Sequence, residues 1–298
     1  MRNVYLFFMI TFLLTCFLSL GGLFYYYYTI TAGQKEKITS ETTDEDSSTV
    51  SGPQIILIAG TDKEETASRA DVIMILSIHS GNESTLLFNI PRDTRVSIPG
   101  REGMDKINHA YSYGGMPLLK KTVEEFLDTS LDFTVEADME GFREVVDAYD
   151  GVTVQNDLEF IKDEGEPFTY TEGKLHLNGD QALYYVRMRK QDPRGDLGRN
   201  LRQQQVLEAL LEKAKSPATL RKAEELLYAL GDHIHTDMTF QDIQSFSYHY
   251  TPALTQIQTT EIQGAADEQN GISYYLVSSE EQEKTQLRLE RHQAGKSY

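Results

Sequence analysis

The sequence predicts an α/β (α+β) protein with two parts. A single-pass N-terminal transmembrane helix leads into one globular domain, in which helices cover a central mixed β-sheet. Three observations predict this. Short apolar runs of strand type alternate with stretches of helical period between residues 54 and 156. A run of 21 mostly apolar residues, Val4–Phe24, opens the chain, and as a helix it would span roughly 30 Å, the thickness of a bilayer core. The remainder of the 298 residues, in a chain 40% apolar and 25% charged, is long enough to bury a core.

The elements follow in order. No charge occurs from Asn3 to Gln34, and Tyr25–Tyr28 fall where a membrane–water interface would lie. A cleaved signal peptide has an apolar region of only about 7–15 residues, so a retained anchor over residues 1–30 is the better reading. Arg2 on one side and Lys35 and Lys37 on the other leave the charge rule for orientation nearly tied. Residues 31–53 are polar and end in Gly-Pro, as expected of a flexible tether. QIILIAG (54–60), DVIMILSIH (71–79) and STLLFNI (84–90) read as strands, with Ser80–Glu83 a hairpin loop between the last two. MPLLKKTVEEFLD (116–128) carries a helical stripe; FTVEAD, MEGFREVVDAY and GVTVQN then read as strand, helix and strand. Asn178 is an N-cap candidate for a helix ending near Val186, and a further helix covers 199–214. The division expected is a core at 54–215 and a mostly helical C-terminal part at 216–298. In that part Pro217 opens a helix, TFQD (239–242) forms a capping box, and two late strands follow.

Composition excludes several functions. A formal net charge of -18 is the wrong balance for a nucleic-acid binder, so no nucleic acid is expected as a partner. The only cysteine, Cys16, lies in the anchor, and no zinc spacing, Walker loop or G-x-S-x-G elbow occurs.

Against this acidic background, residues 186–205 (VRMRKQDPRGDLGRNLRQQQ) gather six Lys or Arg. In the 199–214 helix the apolar stripe Leu207, Leu210, Leu211 and Ala214 projects back onto Gln203 and Arg199, so both face inward. An inward Arg needs a partner: a bound anion, or a buried ion pair with Asp192 or Asp196. Arg187 and Arg189, two residues apart, share a face only on extended backbone, and could then converge with Arg199. Three Arg and a Gln fit a multiply charged anion such as a pyrophosphate. Asp62 and Asp71 stand at strand ends with no His or Cys nearby. That donor set suits Mg²⁺ or Mn²⁺, although a strand-end Asp is also an ordinary turn former. Arg92 and Asp93 follow a strand, where ligand contacts cluster in α/β sheets.

These residues lie in a series of motifs that resembles the LytR–CpsA–Psr family of membrane-anchored cell-wall proteins. The series runs ILIAGTD, RADVIMILSI, IPRDTRVSIPG, DKINHAYSYGG, DGVTV, LNGDQALYYVRMRKQD and GDLGRNLRQQQ. The resemblance covers about Gln54–Lys215. It implies a phosphotransferase that moves a glycopolymer (teichoic acid, capsule or another wall polysaccharide) from a polyprenyl-pyrophosphate carrier to peptidoglycan through a phosphodiester. By position it implies Mg²⁺-associated Asp62 and Asp71, and pyrophosphate-binding Arg92, Arg187, Arg189, Arg199 and Gln203, with Lys106 in a family motif. It implies an extracellular C-terminal domain held at the cell membrane of a Gram-positive-type bacterium, with the short N-terminus cytoplasmic. The chain departs from the family pattern in Lys63, where Arg is frequent, and in Ala70, where Ser is usual. Arg92, Asp93, Arg187 and Arg189 are the catalytic candidates; Asp93 is either a general base or an ion-pair partner of Arg92. A lipid-pyrophosphate binding module or a phosphatase would use the same residues. A transcriptional regulator would need a DNA-binding element that a three-residue tail cannot supply.

Overall fold

The computed structural model describes residues 52–62, 69–162, 165, 167–214 and 231–296, and its secondary structure follows from local sequence in most places. The apolar run Val4–Phe24, the tether up to residue 51, the Lys63 position and the helix expected from Pro217 lie outside the described residues. Among the described residues no helix is long and apolar enough to cross a membrane.

A six-stranded mixed sheet forms the centre. It is built from β1 (Pro53–Asp62), β2 (Arg69–His79), β3 (Ser84–Asn89), β6 (Phe133–Asp138), β11 (Ile234–Thr236) and β12 (Ile257–Glu261), in the order β11-β6-β1-β2-β3-β12. The β6–β1 and β3–β12 pairs are parallel and the others antiparallel. The carboxyl ends of β1, β3, β6 and β12 therefore lie along one edge of the sheet.

Period-2 alternation gives each central strand two apolar faces, as a sheet covered on both sides requires. Ile55, Leu57, Ile73, Ile75, Leu86 and Phe88 pack on one side. That side is covered by α1 (His109–Leu127), through Leu119, Val123 and Phe126, and by α6 (Ser279–Gln293), through Leu289. Ile56, Met74, Leu76 and Leu87 face the other side, under Leu207 and Leu211 of α4 (Asp196–Ala214) and Phe246 of α5 (Phe240–His249). A second cluster joins α2 (Met139–Ala148), α3 (Gly179–Arg187) and the other face of α4 to β7 (Val152–Asn156), β8 (Phe160–Lys162), β9 (Phe168–Tyr170) and β10 (Gly173–Leu177). The small pairs β4 (Arg95–Ser97) with β5 (Met104–Lys106), and β13 (Ala265–Gln269) with β14 (Ile272–Leu276), complete the fold.

Two expectations are corrected. Helix α1 starts at His109 rather than near 116, because a helical turn precedes a kink at Gly114 and Gly115. Gly115 there takes φ 64°, ψ -159°, and Pro117 opens the second stretch. The C-terminal part is not mostly helices packed on a finished core: β11 and β12 are outer strands of the central sheet itself, on β6 and β3. The described residues from Gly52 on fall in one compact unit with no break at 215. The two late strands form where expected, as β12 and β14, but the three-residue β11 and the pairing of β12 with β3 cannot be read from local periodicity.

Candidate active site

The candidate residues assemble at the sheet edge where β1 and β3 end. The β1–β2 register slips there: Gly60 faces Val72 while Thr61 faces Ala70, which leaves Asp71 as the extra residue of a β-bulge. Val72 packs on one side of the sheet and Ala70 on the other, so the bulge switches faces and turns Asp71 out of the alternation. Asp71 Oδ1 accepts a hydrogen bond from Arg92 Nη1 at 2.6 Å, in a half-buried setting. Asp62 ends β1 opposite Arg69 of β2. Two carboxylates at the ends of paired strands are of the oxygen type that a hard divalent cation takes. Among the described residues no group of three or more His, Cys, Asp or Glu is placed to hold a metal ion, so water or phosphate oxygens would have to complete such a site.

Arg92 and Asp93 follow β3. Asp93 Oδ1 meets Lys106 Nζ at 2.8 Å, whereas Arg92 Nε stands 3.9 Å from Asp93 Oδ2. The ion pair considered for Asp93 thus forms chiefly with Lys106. The segment is held from both sides by backbone bonds. Asn108 N–H donates to the Arg92 carbonyl (3.2 Å), and Tyr275 N–H donates to the Asp93 carbonyl (2.8 Å).

The capping box of Asn178 and Gln181 starts α3, and the helix ends one residue past the expected Val186. Met188 is extended (φ -61°, ψ 133°) and buried, so Arg187 and Arg189 flank it on the solvent side. Arg189 Nε lies 3.8 Å from Asp196 Oδ1, the oxygen that Arg199 Nη2 meets at 2.7 Å. Arg189 and Arg199 therefore share one carboxylate. Arg187 stands to one side, with Nη1 3.2 Å from Met139 Sδ at the start of α2. Arg199 and Gln203 are buried, as the helical projection requires. Gln203 Oε1 accepts from Asn89 Nδ2 at 2.9 Å, which ties α4 to the end of β3.

The electrostatics favour an anion. Burial pushes the Arg199 pKa below its usual value; Asp196 opposes this, while the charges of Arg92 and Arg189 add to the lowering. Burial also lowers Arg92, but Asp71, Asp93 and Asp196 together raise it above the ordinary value. Three buried guanidinium nitrogens have no hydrogen-bond acceptor among the described residues: Arg92 Nε and Arg199 Nε at this site, and Arg143 Nε away from it. Buried donors of this kind are rare in folded proteins, and at Arg92 and Arg199 the oxygens of an anion would satisfy them.

One network escaped the sequence reading. Arg202, with 1% of its side chain exposed, donates from Nε to the Tyr185 carbonyl (3.1 Å), from Nη2 to the Met188 carbonyl (2.6 Å) and from Nη1 to Asp192 Oδ2 (2.5 Å). Arg194 also holds Asp192 and continues to Asp157. Burial would raise the Asp192 pKa, yet the hydrogen bonds from Arg194 and Arg202 outweigh it and hold the carboxyl well below the usual range. Gly198 is required for this approach, since a Cβ there would lie 1.9 Å from Asp192 Oδ2. The carbonyls that Arg202 grips sit on either side of Arg187. The available signal was the second apolar stripe of α4, Val206, Ala209 and Leu210, onto which Arg202 projects back by four residues.

Comparison with known proteins shows the family. A family model, described as the LytR_cpsA_psr family, matches residues 23–291. The chain belongs to the LytR–CpsA–Psr family. Among curated relatives, the polyisoprenyl-teichoic acid–peptidoglycan teichoic acid transferase TagU of Oceanobacillus iheyensis is 41% identical over 244 residues, 80% of this chain and 75% of the relative. Among solved structures, a protein from Enterococcus faecalis described as a transcriptional regulator superposes with a TM-score of 0.74 at 30% identity, covering 83% of this chain and 89% of that one. TagT bound to LIIa-WTA superposes with a TM-score of 0.71 at 27% identity, covering 85% and 95%. The single α/β domain with a central mixed sheet and helices is thus shared with these solved structures.

Proposed function

We propose that this chain is a transferase that moves a glycopolymer from a polyprenyl-pyrophosphate carrier to peptidoglycan. The observation that carries the reading is the convergence of Arg92, Arg189 and Arg199 around Asp71 and Asp196, with two buried guanidinium nitrogens still lacking an acceptor. Support comes from the relative named as a teichoic acid transferase and from TagT bound to LIIa-WTA. Teichoic acid is accordingly the first donor polymer to test. The acidic balance of the chain speaks against DNA as its partner.

In the reaction, the donor pyrophosphate lies against Arg92, Arg189 and Arg199, with Arg187, Lys106 and Gln203 around them. A sugar hydroxyl of peptidoglycan attacks the phosphorus nearest the glycan. The new P–O bond forms as the bridging P–O bond breaks, the hydroxyl proton passes to solvent, and polyprenyl phosphate leaves with the electron pair of the broken bond. Charge shifts toward the leaving phosphate, and fixed guanidinium groups stabilise it without reorganising. Asp71 and Asp62 are the residues that would hold Mg²⁺ or Mn²⁺, which when bound supplies neutralisation of the pyrophosphate charge. Asp93, already paired with Lys106, is better suited to orienting that lysine than to taking a proton.

The chain architecture fits a lipid-linked donor. We assign residues 1–30 as a membrane anchor, with a cytoplasmic N-terminus, and 31–53 as a tether that holds an extracellular catalytic domain. The test is transfer of labelled glycan to peptidoglycan oligomers with Mg²⁺, for the wild type and for Arg189→Ala and Arg199→Ala. Loss of transfer in folded variants supports the assignment, and undiminished transfer refutes it.

A further inference from the structure

An open groove of ≈ 1010 Å³ adjoins the pyrophosphate residues and, apart from Arg187 and Arg189, is lined by residues that the reaction above does not use. Tyr184, Gln191, Lys190 and Lys162 line it together with Arg187 and Arg189. We propose that this groove binds the phosphate-bearing repeats of the donor glycopolymer, so that the enzyme selects an anionic polymer over a neutral one. The proposal rests on the transferase reading and names the part of the substrate that lies beyond the reacting phosphorus.

Four observations carry it. The first is charge: Lys162, Arg187, Arg189 and Lys190 line the groove in a chain of net charge -18, and among the described residues the one carboxylate in its lining, Asp180, is engaged by Arg143 at 3.1 Å. A cationic strip on an acidic protein is a local device for an anion, because the overall field repels one. The second is connectivity. The glycan is bonded to the phosphorus that the arginines hold, so its first sugar lies beside Arg187 and Arg189, where the groove opens. The third is surface character. Tyr184 and Leu183 give the groove an apolar floor for sugar faces, and the Tyr184 ring is held against Tyr170 (5.7 Å, stacked) with Lys162 Nζ 5.7 Å from its centre. The fourth is that the walls are tied together. Gln191 Oε1 accepts from Ile161 N–H (3.1 Å), and Gln191 Nε2 donates to the Ile161 carbonyl (2.8 Å), which joins the arginine-bearing segment to β8. The volume stands at the upper end of the ~300–1,000 Å³ of small-ligand sites, as an oligomer requires.

The experiment uses the full chain in detergent with Mg²⁺, peptidoglycan oligomers and two lipid-pyrophosphate donors. One donor carries a disaccharide alone; the other carries the same disaccharide extended by glycerol-phosphate repeats. Lys162→Glu and Lys190→Glu, singly and combined, reverse charges that the pyrophosphate site does not use. The double variant should lose about tenfold in kcat/KM on the extended donor, the scale of two solvent-exposed charge contacts reversed. It should stay within about twofold of wild type on the short one, and the extended-donor advantage should shrink at high salt. Equal change on both donors, or none on either, overturns the groove assignment. A raised KM for the oligomer with both donors would give the groove to the acceptor and also overturn it. Failure of the wild type on both donors would count against the transferase reading itself, which keeps the two failures distinct.

Discussion

Replacing Arg202 by methionine removes three hydrogen bonds while keeping an unbranched chain of similar reach. The substitution strands the Tyr185 and Met188 carbonyls, at about 1–3 kcal/mol each where water cannot replace the donor. It does not strand Asp192, because Arg194 still donates from Nε and Nη2 at 3.0 Å and from its backbone N–H at 2.8 Å. That retained partner brings the loss to the lower end of the 3–5 kcal/mol of a broken buried pair, so about 3 kcal/mol is expected. With m of about 2–3 kcal/mol per molar urea, the midpoint of unfolding should fall by roughly 1–1.5 M. A second effect follows from place. The two carbonyls flank Arg187, so under conditions where the variant stays folded, transfer should still drop because Arg187 and Arg189 lose their fixed backbone. The assay is a double-mutant cycle. Arg202→Met should add almost nothing to the loss already caused by Arg187→Ala with Arg189→Ala, since both act through the same guanidinium groups. Additive loss of activity, or a stability change under about 1 kcal/mol, would refute the reasoning.

Further outcomes follow from the same contacts. Gly198→Ala drives a methyl into Asp192 and should destabilise by about 1–3 kcal/mol, read as a lowered Tm; an unchanged Tm would mean that the loop shifts freely. Arg199→Ala should cut transfer by about 10²–10³, as removal of one preorganised donor does, with the circular dichroism spectrum unchanged. His292, between Ser77 Oγ (2.9 Å) and Ser84 Oγ (3.1 Å), is held neutral by burial and by the nearby charge of His79, with its pKa lowered to about 4. Because the folded value lies below the unfolded one, its contribution is intact above about pH 6.5 and is lost as pH falls toward 4. The full loss is on the order of 3 kcal/mol. Urea titrations at pH 7.5 and 4.5 should show a smaller acid-induced loss in His292→Gln than in wild type, and equal losses would contradict this.

Much of the fold was legible because its central strands are apolar and flanked by clear turns, and because α2 and α3 begin at capping residues. Arg199 and Gln203 were legible for the same physical reason: the stripe under Leu207 and Leu211 extends back through them. Arg202 was not, since α4 packs against two cores at once and a single-stripe reading sees only one of them. Strands as short as β4, β5 and β8 carry no usable period, and the Asp71 bulge is a register event invisible in one strand alone. The sequence left Asp93 between a base and a partner of Arg92. The partner that dominates, Lys106, reaches it through the pairing of β5 with β4, a contact between segments whose pairing local pattern cannot reveal.

The most direct test of the central claim is mass spectrometry of the peptidoglycan oligomer after incubation with the full chain, a lipid-pyrophosphate-linked glycan and Mg²⁺. The account predicts an oligomer heavier by the glycan and one bridging phosphate, formed only with metal present and absent with Arg199→Ala. Glycan phosphate released into water at the same rate with or without the oligomer would contradict it.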